Sequence, residues 1–250
     1  MYSKLLWVGL ICCFSFIPTE KKKITVWLAG DSTMSIKEIK AYPETGWGMP
    51  FVHFFDSTVT IKNIAKNGRS TRTFIAEKLW DSIEKNLQAE DYVFIQFGHN
   101  DESKEKTDRY TTPEEYRNNL MKFINEARAK KAKPVLITPV SRRKFKDTIQ
   151  ILTHEVYSGL VREVAKEQNV PLIDLDAQSA ALYQRLGKET SKLLFLQLKP
   201  GEHPNYPEGK EDNTHFNELG ARLIAQIVLQ NIRNLKLELA DRIVVPKVKK

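Results

Sequence analysis

Cysteine is nearly absent from this 250-residue chain: the two present, Cys12 and Cys13, stand side by side near the start. If that segment is removed, neither a disulfide nor a thiol nucleophile is left, and the fold must hold by packing. Apolar runs long enough to cross a bilayer are missing as well. The stretch 5–17 is too short to span and follows Lys4, the arrangement of a secretory signal peptide, although no A-x-A-like cleavage motif precedes Glu20. No G-x-G-x-x-G follows any strand-like run, which argues against a dinucleotide cofactor. No His/Cys/Asp/Glu cluster has zinc-like spacing, so neither metal nor cofactor is expected. A G-x-S-x-G elbow is lacking too, since Met34 stands where its second glycine would be. Internal repeats and low-complexity tracts are absent.

Charge is scarce where a nucleic-acid binder would need it. The formal net charge is +8, but Lys4, Lys21, Lys22, Lys23, Lys247, Lys249 and Lys250 against Glu20 put +6 of it in the two ends, leaving +2 for residues 24–246. A phosphate-neutralising protein carries its basic stripe in the folded part, so no nucleic-acid partner is expected. The content of 41% hydrophobic and 10% aromatic residues suffices for the core of one α/β domain.

The chain is organised around 24–33, ITVWLAGDST, an apolar, β-branched run that stops at Gly30-Asp31-Ser32. Such a run suits a parallel strand buried on both faces. Four more strands are expected at 59–64, 91–97, 133–140 and 170–175, with helices through 86, over about 112–130 and over about 149–168, and a last helix at about 218–231. An apolar helical face over 49–55 carries His53, expected to be packed. The alternation predicts a five-stranded, mostly parallel, doubly wound sheet. Ligands of such sheets bind beyond the carboxyl ends of the strands, where Ser32, the Gly68 turn and Gly98-His99-Asn100-Asp101 fall.

A serine needs a base to take its proton, and the base needs an acid on its other nitrogen. Asp212 and His215, three apart at what reads as a loop-to-helix junction, can supply both, with Ser32 as nucleophile. Backbone N–H groups of Ser32 and Gly68 and the Asn100 amide are candidate oxyanion donors. Each residue also has an ordinary reading: Ser32, Asp212 or Thr214 as a helix cap, Gly68 as a turn residue, Asn100 as a loop cap. Their convergence on one crevice favours chemistry. The basic loop 141–146 lies on the same side of the sheet, which makes Arg142 and Arg143, with His99, candidate substrate-binding residues for a polar or acidic sugar.

The motifs resemble those of the SGNH, or GDSL, hydrolases in all four blocks: Gly30-Asp31-Ser32, Gly68, Gly98-His99-Asn100-Asp101 and Asp212-Asn213-Thr214-His215. Within that superfamily the resemblance is to rhamnogalacturonan acetylesterases, through GDSTM, TGWG, 67–73 and Thr214-His215-Phe216. It implies a three-layer α/β/α, flavodoxin-like SGNH fold, a Ser32-His215-Asp212 triad, an oxyanion hole from Ser32, Gly68 and Asn100, and removal of acetyl groups from pectic polysaccharide. Fungal members carry disulfides that this chain cannot form. The expected organisation is a signal peptide over 1–20, one SGNH hydrolase domain over 24–236 and a basic tail over 237–250. The protein is expected to be exported to the periplasm or outside the cell, or anchored if the N-terminal segment is kept or lipidated. The expected partner is an acetylated, acidic polysaccharide or oligosaccharide, with no membrane span after processing and the oligomeric state open. Two alternatives remain: an SGNH esterase for another acetylated glycan or short acyl ester, and a non-catalytic glycan-binding protein of the same fold.

Overall fold

The computed structural model describes residues 22–245, so the expected signal segment lies outside the described residues. Strand β1 (Ile24–Gly30) is buried on both faces. Its side chains alternate: Ile24, Val26 and Leu28 enter one core, Trp27 and Ala29 the other. Helix α1 (Gly48–Phe51) is a single turn, and the 3₁₀ turn after it leaves His53 exposed rather than packed. After β2 (Val59–Asn63), the single helix expected through 86 is two, α2 (Thr71–Ala76) and α3 (Leu79–Glu84), because Lys78 takes a left-handed φ of 58°. Strand β3 (Tyr92–Gln96) leads to α4 (Pro113–Ala129), which starts as its sequence predicts, with Thr112 Oγ1 accepting from Glu115 N and Pro at the first position.

Strand β4 (Lys133–Ile137) is followed by a hairpin, β5 (Phe145–Lys146) and β6 (Ile149–Gln150), where a bare loop and a helix start are expected. Helix α5 (Glu155–Glu167) therefore begins later than 149. Strand β7 (Leu172–Ile173), helix α6 (Leu175–Thr190), strands β8 (Phe195–Leu198) and β9 (Lys210–Phe216) and helix α7 (Glu218–Asn234) complete the chain order.

The central sheet runs β2-β1-β3-β4-β7, parallel throughout. Phe51 of α1, Tyr183 of α6 and Ile224, Val228 and Ile232 of α7 cover one face. Phe74, Trp80, Phe123, Ile124, Val161 and Val164, from α2 to α5, cover the other. Truncating one of the buried phenylalanine or tryptophan side chains among these to alanine costs roughly 3–5 kcal/mol. The result is a three-layer, doubly wound α/β/α fold. The strand order reverses at β1, the position where such folds open a crevice.

Residue 236 does not end the fold. The 3₁₀ turn Glu238–Arg242 sends Leu239 into the first core, and Ile243, the residue after it, joins that core and bridges to Phe55. The expected tail at 237–250 is therefore shortened from its start: Leu239 and Ile243 are apolar and have a core to enter. Among the described residues, no helix is long and apolar enough to cross a membrane.

Candidate active site

Beyond Gly30 the chain makes a tight turn, with Met34 N and Ser35 N both donating to Asp31 O. Asp31 is buried, and its Oδ1 accepts from Thr33 N and Thr33 Oγ1 at 2.9 and 2.8 Å. Burial raises the Asp31 carboxyl, and the Thr33 hydrogen bonds oppose it. Gln96, at the end of β3, donates to Thr33 Oγ1 at 2.6 Å and accepts from Trp47 Nε1 at 2.8 Å. The TGWG segment, which reads as a loop, is thus the buttress of the Ser32 turn. Gly46 is required there because a Cβ would lie 2.0 Å from Ser35 O. Ser32 is left 8% exposed.

Asp212 and His215 come from a strand, not from the expected loop-to-helix junction. On β8 Phe195 and Leu196 are adjacent, yet they pair with Phe216 and Asp212 of β9. Residues 213–215 therefore bulge from the ladder, and the bulge folds the carboxylate back onto the imidazole. Asp212 Oδ1 accepts from Thr214 N and His215 N at 2.7 and 2.9 Å, and Oδ2 lies 2.7 Å from His215 Nδ1. Burial pushes the Asp212 carboxyl up, but its bonds to His215, the His215 charge and the two backbone N–H groups outweigh that and hold it well below the usual carboxylate range. With the proton on Nδ1 donated to Asp212, Nε2 is the acceptor for the Ser32 hydroxyl, 2.9 Å away. A hydroxyl, an imidazole and a carboxylate in this order can move a proton off the serine as it attacks.

The two arginines grip this bulge. Arg143 is only 8% exposed; its N donates to Asn213 O, and its guanidinium to Asn213 Oδ1, Ser191 Oγ and Lys188 O. Burial pulls its pKa down. Arg142 donates to Thr214 Oγ1 at 2.5 Å and faces Glu102 at 3.7 Å, with 33% of its side chain exposed. His99, also expected to meet substrate, is 4% exposed, and among the described residues neither ring nitrogen has a hydrogen-bond partner. Burial, then the neighbouring His154, lowers its pKa well below the ordinary value, which keeps the ring neutral. Arg143 and His99, both candidates for meeting substrate, are thus enclosed by their neighbours. Arg142 alone of the three keeps substantial open surface.

Ser32, Gly68 and Asn100 follow β1, β2 and β3, three neighbouring strands that end on the same side of the sheet. Gly68 takes φ 75°, which favours glycine. Asn100 Nδ2 donates one N–H to Arg69 O at 3.0 Å, which ties its loop to the Gly68 turn and leaves the second N–H of the amide. Asp101 is buried beneath and accepts from Thr71 N and Oγ1 at the start of α2; burial pushes it up to about 7.

Three roles have no local sequence signal. His154 Nδ1 lies 2.9 Å from Glu102 Oε2, a pair separated by 52 positions. Lys37 is buried against Ser32 and Asn67. Gln96, which links Trp47 to Thr33, lies within a wholly buried strand and reads there as a strand residue.

Residues 28–223 match the GDSL-like Lipase/Acylhydrolase family. The chain is 43% identical over 225 residues to the rhamnogalacturonan acetylesterase RhgT of Bacillus subtilis (strain 168), covering 90% of this chain and 96% of that protein. It is 34% identical over 224 residues to the probable rhamnogalacturonan acetylesterase YesY of the same organism, covering 88% and 97%. The solved structure of YxiM from Bacillus subtilis superposes with a TM-score of 0.73 at 24% identity, over 87% of this chain and 58% of that one, a likeness of fold. The family match runs through the Ser32 turn and the Asp212–His215 bulge alike, and the chain belongs to the GDSL-like lipase/acylhydrolase family and is a serine esterase.

Proposed function

We propose that this protein is an exported carbohydrate esterase that removes acetyl groups from rhamnogalacturonan through an acyl-enzyme on Ser32. The observation that carries the reading is the continuous relay from Ser32 Oγ through His215 to Asp212. Support for the substrate comes from the relatives named rhamnogalacturonan acetylesterase and probable rhamnogalacturonan acetylesterase, which this chain matches over 90% and 88% of its length.

In this mechanism His215 Nε2 takes the hydroxyl proton while Ser32 Oγ adds to the acetyl carbonyl. The Ser32 and Gly68 N–H groups and the Asn100 amide receive the developing oxyanion. His215 then returns its proton to the departing sugar oxygen as its bond to the acetyl carbon breaks, and a water activated in the same way releases acetate from Ser32. Asp212 holds the tautomer and stabilises the imidazolium in both halves. For an acidic backbone, Arg142 is the arginine with open surface to meet a sugar carboxylate.

The test is acetate release from acetylated rhamnogalacturonan beside acetylated xylan and an aryl acetate. Release from the pectic polymer with kcat/KM well above that on xylan supports the reading. Turnover of the aryl acetate alone, or xylan preferred, overturns the substrate while leaving the esterase.

A further inference from the structure

Lys37 presents an unusual arrangement for a lysine. Only 2% of its side chain is exposed, yet its Nζ lies 2.5 Å from Ser32 O, 2.7 Å from Asn67 Oδ1 and 2.7 Å from Glu44 Oε1. An ammonium has three donors and no acceptor, so these contacts use all of its hydrogens. Enclosing a charge is unfavourable unless it is paired and hydrogen-bonded. Burial lowers the Lys37 pKa, and the Glu44 carboxylate opposes the shift.

The three acceptors belong to three different parts of the site. Ser32 O is the carbonyl of the nucleophile itself. Asn67 immediately precedes Gly68, and its Oδ1 also accepts from Ser35 Oγ at 2.6 Å. Glu44 precedes Thr45, whose N donates to Phe216 O, the residue after His215. Lys66 N donates to Gly30 O and so ties the 66–68 turn to β1. Within the turn Arg69 N donates to Lys66 O and Arg69 Nη1 to Asn67 O, and the Asn67 side chain carries it across to the Ser32 turn.

We propose that Lys37 is a positioning residue that fixes the Asn67-Gly68 turn against the Ser32 turn and so presets the oxyanion hole. The inference rests on Ser32 acting as nucleophile. It acts through Asn67 and the Ser32 carbonyl rather than by touching substrate. A displacement of about 1 Å at such a site lowers turnover about 10²-fold, mainly in kcat, because the oxyanion forms only in the transition state.

The test uses Lys37→Met, and Lys37→Met/Glu44→Gln so that no carboxylate is left buried alone, assayed on an aryl acetate after folding is verified by circular dichroism and melting temperature. We expect kcat to fall about 10²-fold in both, with KM within about twofold of wild type. Asn67→Ala should fall by a similar factor, and Lys37→Met/Asn67→Ala should stay near 10² rather than reach the product of about 10⁴, since one clamp is broken twice. A folded Lys37→Met/Glu44→Gln variant with kcat within threefold of wild type, a loss confined to KM, or a multiplicative double loss overturns the proposal. Ser32→Ala separates the two readings: an active Ser32→Ala protein removes the nucleophile, whereas an inactive one beside a fully active Lys37→Met protein removes only the role of Lys37.

Discussion

Asp212 Oδ2 sits 2.7 Å from His215 Nδ1, although the two residues are only three apart on a strand, because the β9 bulge turns one back onto the other. The carboxylate thus sets the tautomer of the imidazole. Asp212→Asn is expected to lower kcat by about 10⁴ with little change in KM, since an amide at this position no longer holds the imidazole in the working tautomer. The same pair has a stability consequence. The folded Asp212 carboxyl lies below its unfolded value, so its contribution is present above about pH 4 and is lost as pH falls further. Denaturant titrations at pH 7 and pH 3 should show the Asp212→Asn deficit shrinking toward the acid side.

Asn100 has one amide N–H committed to Arg69 O, which leaves its second N–H for the proposed oxyanion. Replacing it by alanine should lower kcat on an aryl acetate by roughly 10²–10³ with KM nearly unchanged, the signature of a donor used in the transition state. A change in KM alone would make Asn100 a substrate contact.

Arg142 and Arg143 should separate cleanly. Arg143→Gln removes hydrogen bonds from an enclosed cation, so it is expected to destabilise the fold by about 1.5–3 kcal/mol and to reduce turnover of aryl acetate and polysaccharide equally. Arg142→Gln should raise KM for acetylated rhamnogalacturonan about tenfold relative to the aryl acetate, more at low salt than at high. Steady-state kinetics on both substrates at two salt concentrations check both.

Asp101 is pushed up by burial to about 7, against an unfolded value near 4. Between those values the folded state holds a proton that the unfolded state has lost, so wild-type stability falls as pH rises through that window. Asp101→Asn has no such proton. Measured by denaturant titration at pH 4, 6 and 8, its stability relative to wild type should improve from pH 4 to about 7 and then level off.

The parts of this structure that were legible in the sequence are those written locally. The β1 run is continuous in apolar residues because both its faces are covered, and Ser32, Asp212 and His215 stand in short ordered motifs. The β8–β9 hairpin was not legible: KEDNTHF has no apolar alternation, and only pairing with Phe195–Leu198 makes it a strand. Arg143 belongs to a basic run that reads as surface, and it is buried by Ser191 and Asn213, 48 and 70 positions away. Lys37 is alike in kind, its charge enclosed by Glu44 and by Asn67, 30 positions on. Tertiary partners decide these cases, and no window of neighbouring residues contains them.

That Ser32 is a nucleophile activated by His215 can be checked by labelling with a fluorophosphonate followed by peptide mass mapping. One adduct per chain is expected, on the peptide carrying Ser32, forming in step with loss of esterase activity and absent from Ser32→Ala and nearly absent from His215→Ala. Complete inactivation with the adduct on another residue, or undiminished turnover by a folded Ser32→Ala protein, would contradict it.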